Sequence, residues 1–107
     1  MRMMMKVSIP VEAGNTAAVK GTLVSTIQQI LADLRPEAAY FSSDNGTRDV
    51  FVVLDIRDAS QLPGVAEPWF LAFNAQVSLR PAMSLQDLSD GFHNLQMAVK
   101  AYGKPAA

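Results

Sequence analysis

Few side chains in this 107-residue sequence carry reactive chemistry, and their spacing narrows what they can do. His93 is the sole histidine and there is no cysteine. A His-rich or Cys-ligated metal site therefore has no donor set, and disulfides, thiol catalysis and iron–sulfur clusters are excluded with it. Asp90 precedes His93 by one helical turn, but such a pair is ordinary on a solvated helix, so we expect no metal and read His93 as a structural or surface residue. Serine nucleophiles need a base and a sharp Gly-x-Ser-x-Gly turn, and the sequence contains no such turn. Gly14, Gly21, Gly46, Gly64, Gly91 and Gly103 are scattered, which leaves neither a phosphate-cradling loop nor a dinucleotide fingerprint. No cofactor is expected. Two carboxylate pairs remain, Asp55 with Asp58 and Asp87 with Asp90. The first fits a strand-to-helix junction and the second a first helical turn, where negative charge complements the dipole.

Two constellations are better suited to binding. Glu67-Pro68-Trp69-Phe70-Leu71-Ala72-Phe73-Asn74 crowds three aromatics and a carboxylate into a proline-broken stretch. Such a group serves either a small core or a small apolar pocket, and Trp69 is the ring placed to reach a cavity because its indole N–H needs a partner. Lys6, Tyr40, Asp55, Arg57 and Arg80 form the other group. They read either as an interface network or as the lining of a cavity for a small anionic or aromatic molecule, with Arg57 or Arg80 as its charge partner.

The elements that must position these residues follow from periodicity. Met3, Met5, Val7 and Ile9 alternate with Met4, Lys6 and Ser8, which predicts a first strand. Val19, Leu23, Ile27, Ile30, Leu31 and Leu34 recur at three- and four-residue steps, predicting one helix of about five turns from Asn15 or Thr16 to Arg35, with Gly21 inside it as a point of close packing. Ala38 to Ser43 and Arg48 to Arg57 flank Asn45-Gly46 as a hairpin. Pro63-Gly64 and Pro68 are expected to split the next segment into short helices, Leu62 to Ala66 and Pro68 to Phe73. Gln76 to Arg80 is a fourth strand that Pro81 confines to an edge or an end. Ser84 caps a final amphipathic helix through Leu85, Leu88, Phe92, Leu95 and Val99, closed by Gly103 and Pro105.

The order β, α, β, β, α, β, α predicts one α+β domain over residues 1–107, a ferredoxin-like βαββαβ unit with an extra C-terminal helix, its four-stranded antiparallel sheet covered by helices on one face. Val50, Val52, Leu54, Ile56, Val77 and Leu79 then meet the helices. Phe51, Val53, Asp55, Arg57, Ser78, Arg80, Lys6 and Tyr40 take the opposite, open face. That face is half apolar, and pairing with a second copy would bury it.

Composition agrees with a packed domain. Hydrophobic residues make up 50% and charged residues 18%, and nine Lys and Arg against ten Asp and Glu give a net charge of -1. No basic excess is available for nucleic acid or an anionic membrane. The methionine-rich start is interrupted by Lys6, Pro10 and Glu12 and reads as a strand rather than a secretory signal. The expected compartment is cytoplasmic.

Asp58-Ala59-Ser60 through Glu67-Pro68-Trp69-Phe70-Leu71-Ala72-Phe73-Asn74-Ala75, and Val77-Ser78-Leu79-Arg80-Pro81-Ala82-Met83, are similar to a group of small uncharacterised bacterial proteins in the dimeric α/β-barrel superfamily. The resemblance extends to Pro10-Val11-Glu12-Ala13-Gly14-Asn15 and Pro36-Glu37-Ala38-Ala39-Tyr40-Phe41. It implies two ferredoxin-like sheets packed face to face in a homodimer, and it supplies no catalytic residue. Two functions are compatible with these readings. One is a homodimer that binds a small organic molecule, between sheet and helices or between sheets. The alternative is a cofactor-free enzyme of the monooxygenase or isomerase type.

Overall fold

The alternating segment at the start of the chain forms β1 (Arg2–Ile9) in the computed structural model, which describes residues 1–104. β1 is hydrogen-bonded on both edges, to β3 (Thr47–Asp55) with Met5 opposite Val52 and to β4 (Gln76–Pro81) with Met5 opposite Leu79. β2 (Ala38–Asp44) lies outside β3, and all three pairings are antiparallel in the order β2-β3-β1-β4. The sheet is the expected α+β arrangement, in an order compatible with a ferredoxin-like fold. Asn45 and Gly46, at φ of 50° and 78°, make the two-residue turn between β2 and β3, and only residues tolerant of positive φ can close so tight a hairpin.

One face of the sheet is the core. Met5, Val7, Ile9, Val50, Val52 and Leu54 are buried there against Ile30, Val65, Trp69 and Phe73 from the helices. Val77 and Leu79 pack on the rim, as their strand phase predicts. Trp69 is wholly buried and its Nε1 has no hydrogen-bond partner.

The helical segments depart from the sequence reading in three places. The expected long helix is two, α1 (Val11–Lys20) and α2 (Leu23–Leu34). Gly21 breaks them apart instead of packing closely: its φ is 77° and nothing lies within 4 Å of where a Cβ would sit. Val19, placed on the apolar stripe by spacing, is 88% exposed because the break rotates α1 out of register with α2. Conversely, a turn of 3-10 helix (Ala59–Gln61) runs into one continuous α3 (Leu62–Phe73) despite Pro68. Asp58 and Gln61 cap that start reciprocally. Pro63 sits harmlessly in the first turn, and burial of Val65, Trp69 and Phe73 at four-residue intervals outweighs the ~3 kcal/mol that an interior proline costs.

The third departure is at the C-terminus. Ser84 caps α4 (Leu85–Asp90) as expected, but Gly91 separates it from α5 (Phe92–Tyr102), and neither helix buries a residue. The Cα radius of gyration is 18.3 Å with a longest extent of 61 Å, against about 13 Å for a compact chain near this length. α4 and α5 are therefore an arm that leaves the body. Pro105, read from sequence as part of the stop after Gly103, lies outside the described residues. Among the described residues no helix is long and apolar enough to cross a membrane.

Replacing Trp69 with Ala should destabilise the fold by about 3–5 kcal/mol, most of a small domain's stability. Denaturant unfolding followed by circular dichroism checks it, and a midpoint unchanged from wild type would contradict the assignment of Trp69 to the core.

Candidate functional site on the open sheet face

Strand alternation assigns the other face of the sheet residue by residue. Tyr40, Phe51, Lys6 and Ser78 make one row across the four strands, and Ala38, Val53, Met4 and Arg80 make the next. No helix covers these rows. Tyr40 is 71%, Met4 49% and Phe51 39% exposed, so the centre of the face is an apolar patch in contact with water.

A charged cluster borders the patch. The Lys6 ammonium donates to Asp44 Oδ2 at 3.3 Å, stands 3.9 Å from Asp49 Oδ2, and lies 5.9 Å from the centre of the Phe51 ring, within reach of a cation–π attraction. Asp49 shares a row with Ser42 and Ser8, yet its side chain is only 1% exposed. Its Oδ1 accepts from the Thr47 hydroxyl at 2.9 Å, and Oδ2 accepts no hydrogen bond. Burying a carboxylate is costly without a partner, and the Lys6 ammonium is the cation beside this one. Sequence reasoning passed over Asp49, although it shares the strand phase of Phe51, Val53 and Asp55. That phase, followed one step further back, was the available signal.

The far corner of the face is ionic. The N-terminal amine donates to Asp55 Oδ1 at 2.9 Å and to the Ile56 carbonyl at 2.8 Å. Arg2 grips Glu37 with a two-pronged fork at 2.8 and 3.1 Å. The amine holds the Asp55 carboxyl below its ordinary value, and Arg2 does the same to Glu37. Asp87 is also lowered, by the Ser84 backbone N–H and then its hydroxyl. These groups border an open recess of about 780 Å³ between the sheet corner and the start of the arm. Carboxylates held ionised this way are poor proton acceptors near neutral pH, so the corner is suited to ion pairing.

The residues singled out from sequence are only partly brought together. Lys6 and Tyr40 share a row, Arg80 stands in the adjacent one and Asp55 marks the corner. Arg57 lies past the end of β3, where its backbone N–H donates to Gln61 Oε1 at 2.7 Å, beside a separate recess with Met3 and Leu62. Trp69 sits in the core layer on the opposite side of the sheet. Both carboxylate pairs have structural partners: Asp58 in the cap before α3, Asp87 with Ser84, and Asp90 accepting from Gln86 at 2.7 Å. Arg80 reaches only the Ser78 hydroxyl, at 3.5 Å, and no carboxylate among the described residues.

No protein-family model matches the chain, and no curated protein matches it. A similar solved structure is a formyltetrahydrofolate deformylase from Pseudomonas putida KT2440, with 16% identity and a TM-score of 0.48 over 95% of this chain and 39% of that one. The present chain thus spans well under half of that protein, and a likeness this remote carries no inference about activity.

Lys6→Met should leave Asp49 buried without its cation and lower stability by about 1–3 kcal/mol. The Lys6→Met, Asp49→Val double variant should recover part of the loss; a single variant that unfolds at the wild-type denaturant midpoint would contradict the coupling. Acid supplies a second check. Glu37, Asp55 and Asp87 are lowered in the folded state, so their stabilisation is complete above their unfolded values near ~4 and is lost as pH falls through the lower folded ones. Melting temperature should decline on acidification below about pH 4, less steeply in Arg2→Gln; identical acid profiles would contradict the Arg2–Glu37 coupling.

Proposed function

We propose that this protein works as a homodimer joined through its open sheet faces, as in the dimeric α/β-barrel superfamily, and that it binds a small organic molecule rather than catalysing a reaction. The observation that carries the proposal is the uncovered patch of Met4, Tyr40, Phe51 and Val53, which spans three adjacent strands with ionic groups at both ends. A second copy supplies the same surface, and burying two such patches against each other removes apolar area from water while leaving the charged ends free to pair.

The ligand's place follows from what is filled. Trp69, Met5, Ile9 and Val52 occupy the space between helices and sheet, which favours the open face, between two copies, as the ligand's place. Arg80 is the cation there without a carboxylate among the described residues, which favours a small anionic or aromatic molecule as ligand. The second reading, a cofactor-free monooxygenase or isomerase, is favoured by one feature, the vacant Asp49 Oδ2 beside Lys6. In that reading Asp49 is the proton acceptor and the dimer interface excludes water.

Light scattering at micromolar concentration should return twice the single-chain mass for the wild type. Phe51→Asp should return the monomer mass with its circular dichroism preserved, since the new carboxylate would be stranded in an apolar contact at a cost of several kcal/mol. A monomeric wild type would refute the reading. Native mass spectrometry of the purified dimer should show a small anionic adduct that Arg80→Gln loses, and a bare dimer in both proteins would contradict the binding role.

A further inference from the structure

The arm carries a pattern that the body does not use. Leu85, Leu88, Phe92, Leu95, Val99 and Tyr102 are spaced by three, four, three, four and three residues, the a and d positions of a heptad seam. All six are more than half exposed, from 51% at Leu95 to 85% at Tyr102. Gly91 is the junction of the two helices: its N–H bonds the Asp87 carbonyl at 2.9 Å to close α4, and Leu95 N–H reaches its carbonyl at 3.3 Å to open α5. The two short helices follow each other with only Gly91 between them, and the three- and four-residue spacing of their apolar residues carries on across it. A lone helix of this length is marginal in water, so the stripe needs a cover.

The arm's charges indicate what covers it. Asp87 and Asp90 lie at its start, Lys100 and Lys104 at its end, and no acidic residue occurs from Phe92 to Lys104. Two copies laid antiparallel set each acidic end beside the other's basic end; a parallel pair sets like beside like. The seam agrees, because an antiparallel pair centred between His93 and Asn94 opposes each a position to a d position: Leu85 to Tyr102, Leu88 to Val99, Phe92 to Leu95. The arm's own sheet is not what covers it. Only Ala82–Ser84 link β4 to α4, Ala82 N–H is tied to the Arg2 carbonyl at 3.0 Å, and the arm extends the molecule to 61 Å.

We propose that the C-terminal arm pairs antiparallel with the arm of a second copy of this chain, sealing the Leu85-to-Tyr102 stripe. This pairing goes beyond the sheet-face contact and does not depend on it.

The absence of native cysteine makes the test clean. Leu88→Cys and Val99→Cys, each in the full chain, are mildly oxidised alone and as a mixture. The mixture should form a cross-linked dimer severalfold more abundantly than either variant alone, because Leu88 faces Val99 across the pair, whereas two copies of Leu88 stand 11 residues apart along it, about 16 Å at 1.5 Å per residue and beyond disulfide reach. Cross-linking of each variant by itself would overturn the proposal in favour of a parallel pair. No cross-linking in the mixture, with both variants folded by circular dichroism, would overturn it in favour of another cover. Should the variants misfold, spin labels at Gln86→Cys give an independent reading. A separation of about 22 Å along the axis supports the antiparallel pair, and about 10 Å or no intermolecular coupling contradicts it.

Discussion

The constraint on which the structure depends is the position of β1 between two partners. With β3 on one edge and β4 on the other, every backbone group of its middle residues is paired, and its side chains have only two destinations. Met5 and Val7 go into the core at 2% and 0% exposure, which sends Lys6, between them, to the open face. A slip of one residue would drive Lys6 under the helices and expose the core residues. The register that packs Trp69 against the sheet is thus the register that lines Lys6 up with Phe51 and Tyr40. The candidate site owes its arrangement to the hydrophobic core behind it.

Some of this was legible in the residues and some was not, for physical reasons that differ by element. The strands and the Asn45-Gly46 turn are local: alternation and tolerance of positive φ decide them, and both act within a few residues. The rows of the open face follow from the same alternation, which is why the strand phase of Lys6, Tyr40, Asp55 and Arg80 was legible. The helices are less local. Gly21 is a residue that either packs closely or takes a positive φ, and only the path of the backbone, at 77°, decides between them. Pro68 argues for a break, and the burial of Trp69 and Phe73 overrides it. Asp49 escaped notice because burial of a carboxylate on a polar-looking row is a property of its neighbours. Amphipathicity correctly marked the stripe through Leu88, Leu95 and Val99, but a periodic stripe says that a face is to be covered without saying by which surface.

What remains outside the core is economical in its chemistry. α1, α2 and α3 use one side of the sheet; the other side carries the exposed Met4, Tyr40 and Phe51, the arm carries the stripe from Leu85 to Tyr102, and both are bordered by charges of both signs. Among the described residues no three His, Asp or Glu side chains converge as metal ligands, and the carboxylates at the sheet corner are engaged by the N-terminus and Arg2. Recognition by shape, apolar contact and a few ion pairs is what such surfaces do well, and that is the ground for proposing self-association and a small ligand.

The central claim, that the open sheet face is where two copies meet, is tested most directly by isotope-filtered NMR on a mixture of differently labelled chains. The account predicts intermolecular contacts from the Met4 and Val53 methyl groups and the Phe51 ring of one copy to the same residues of the other. Contacts from these groups only to their own chain, in a sample concentrated enough for both copies to associate, would contradict it.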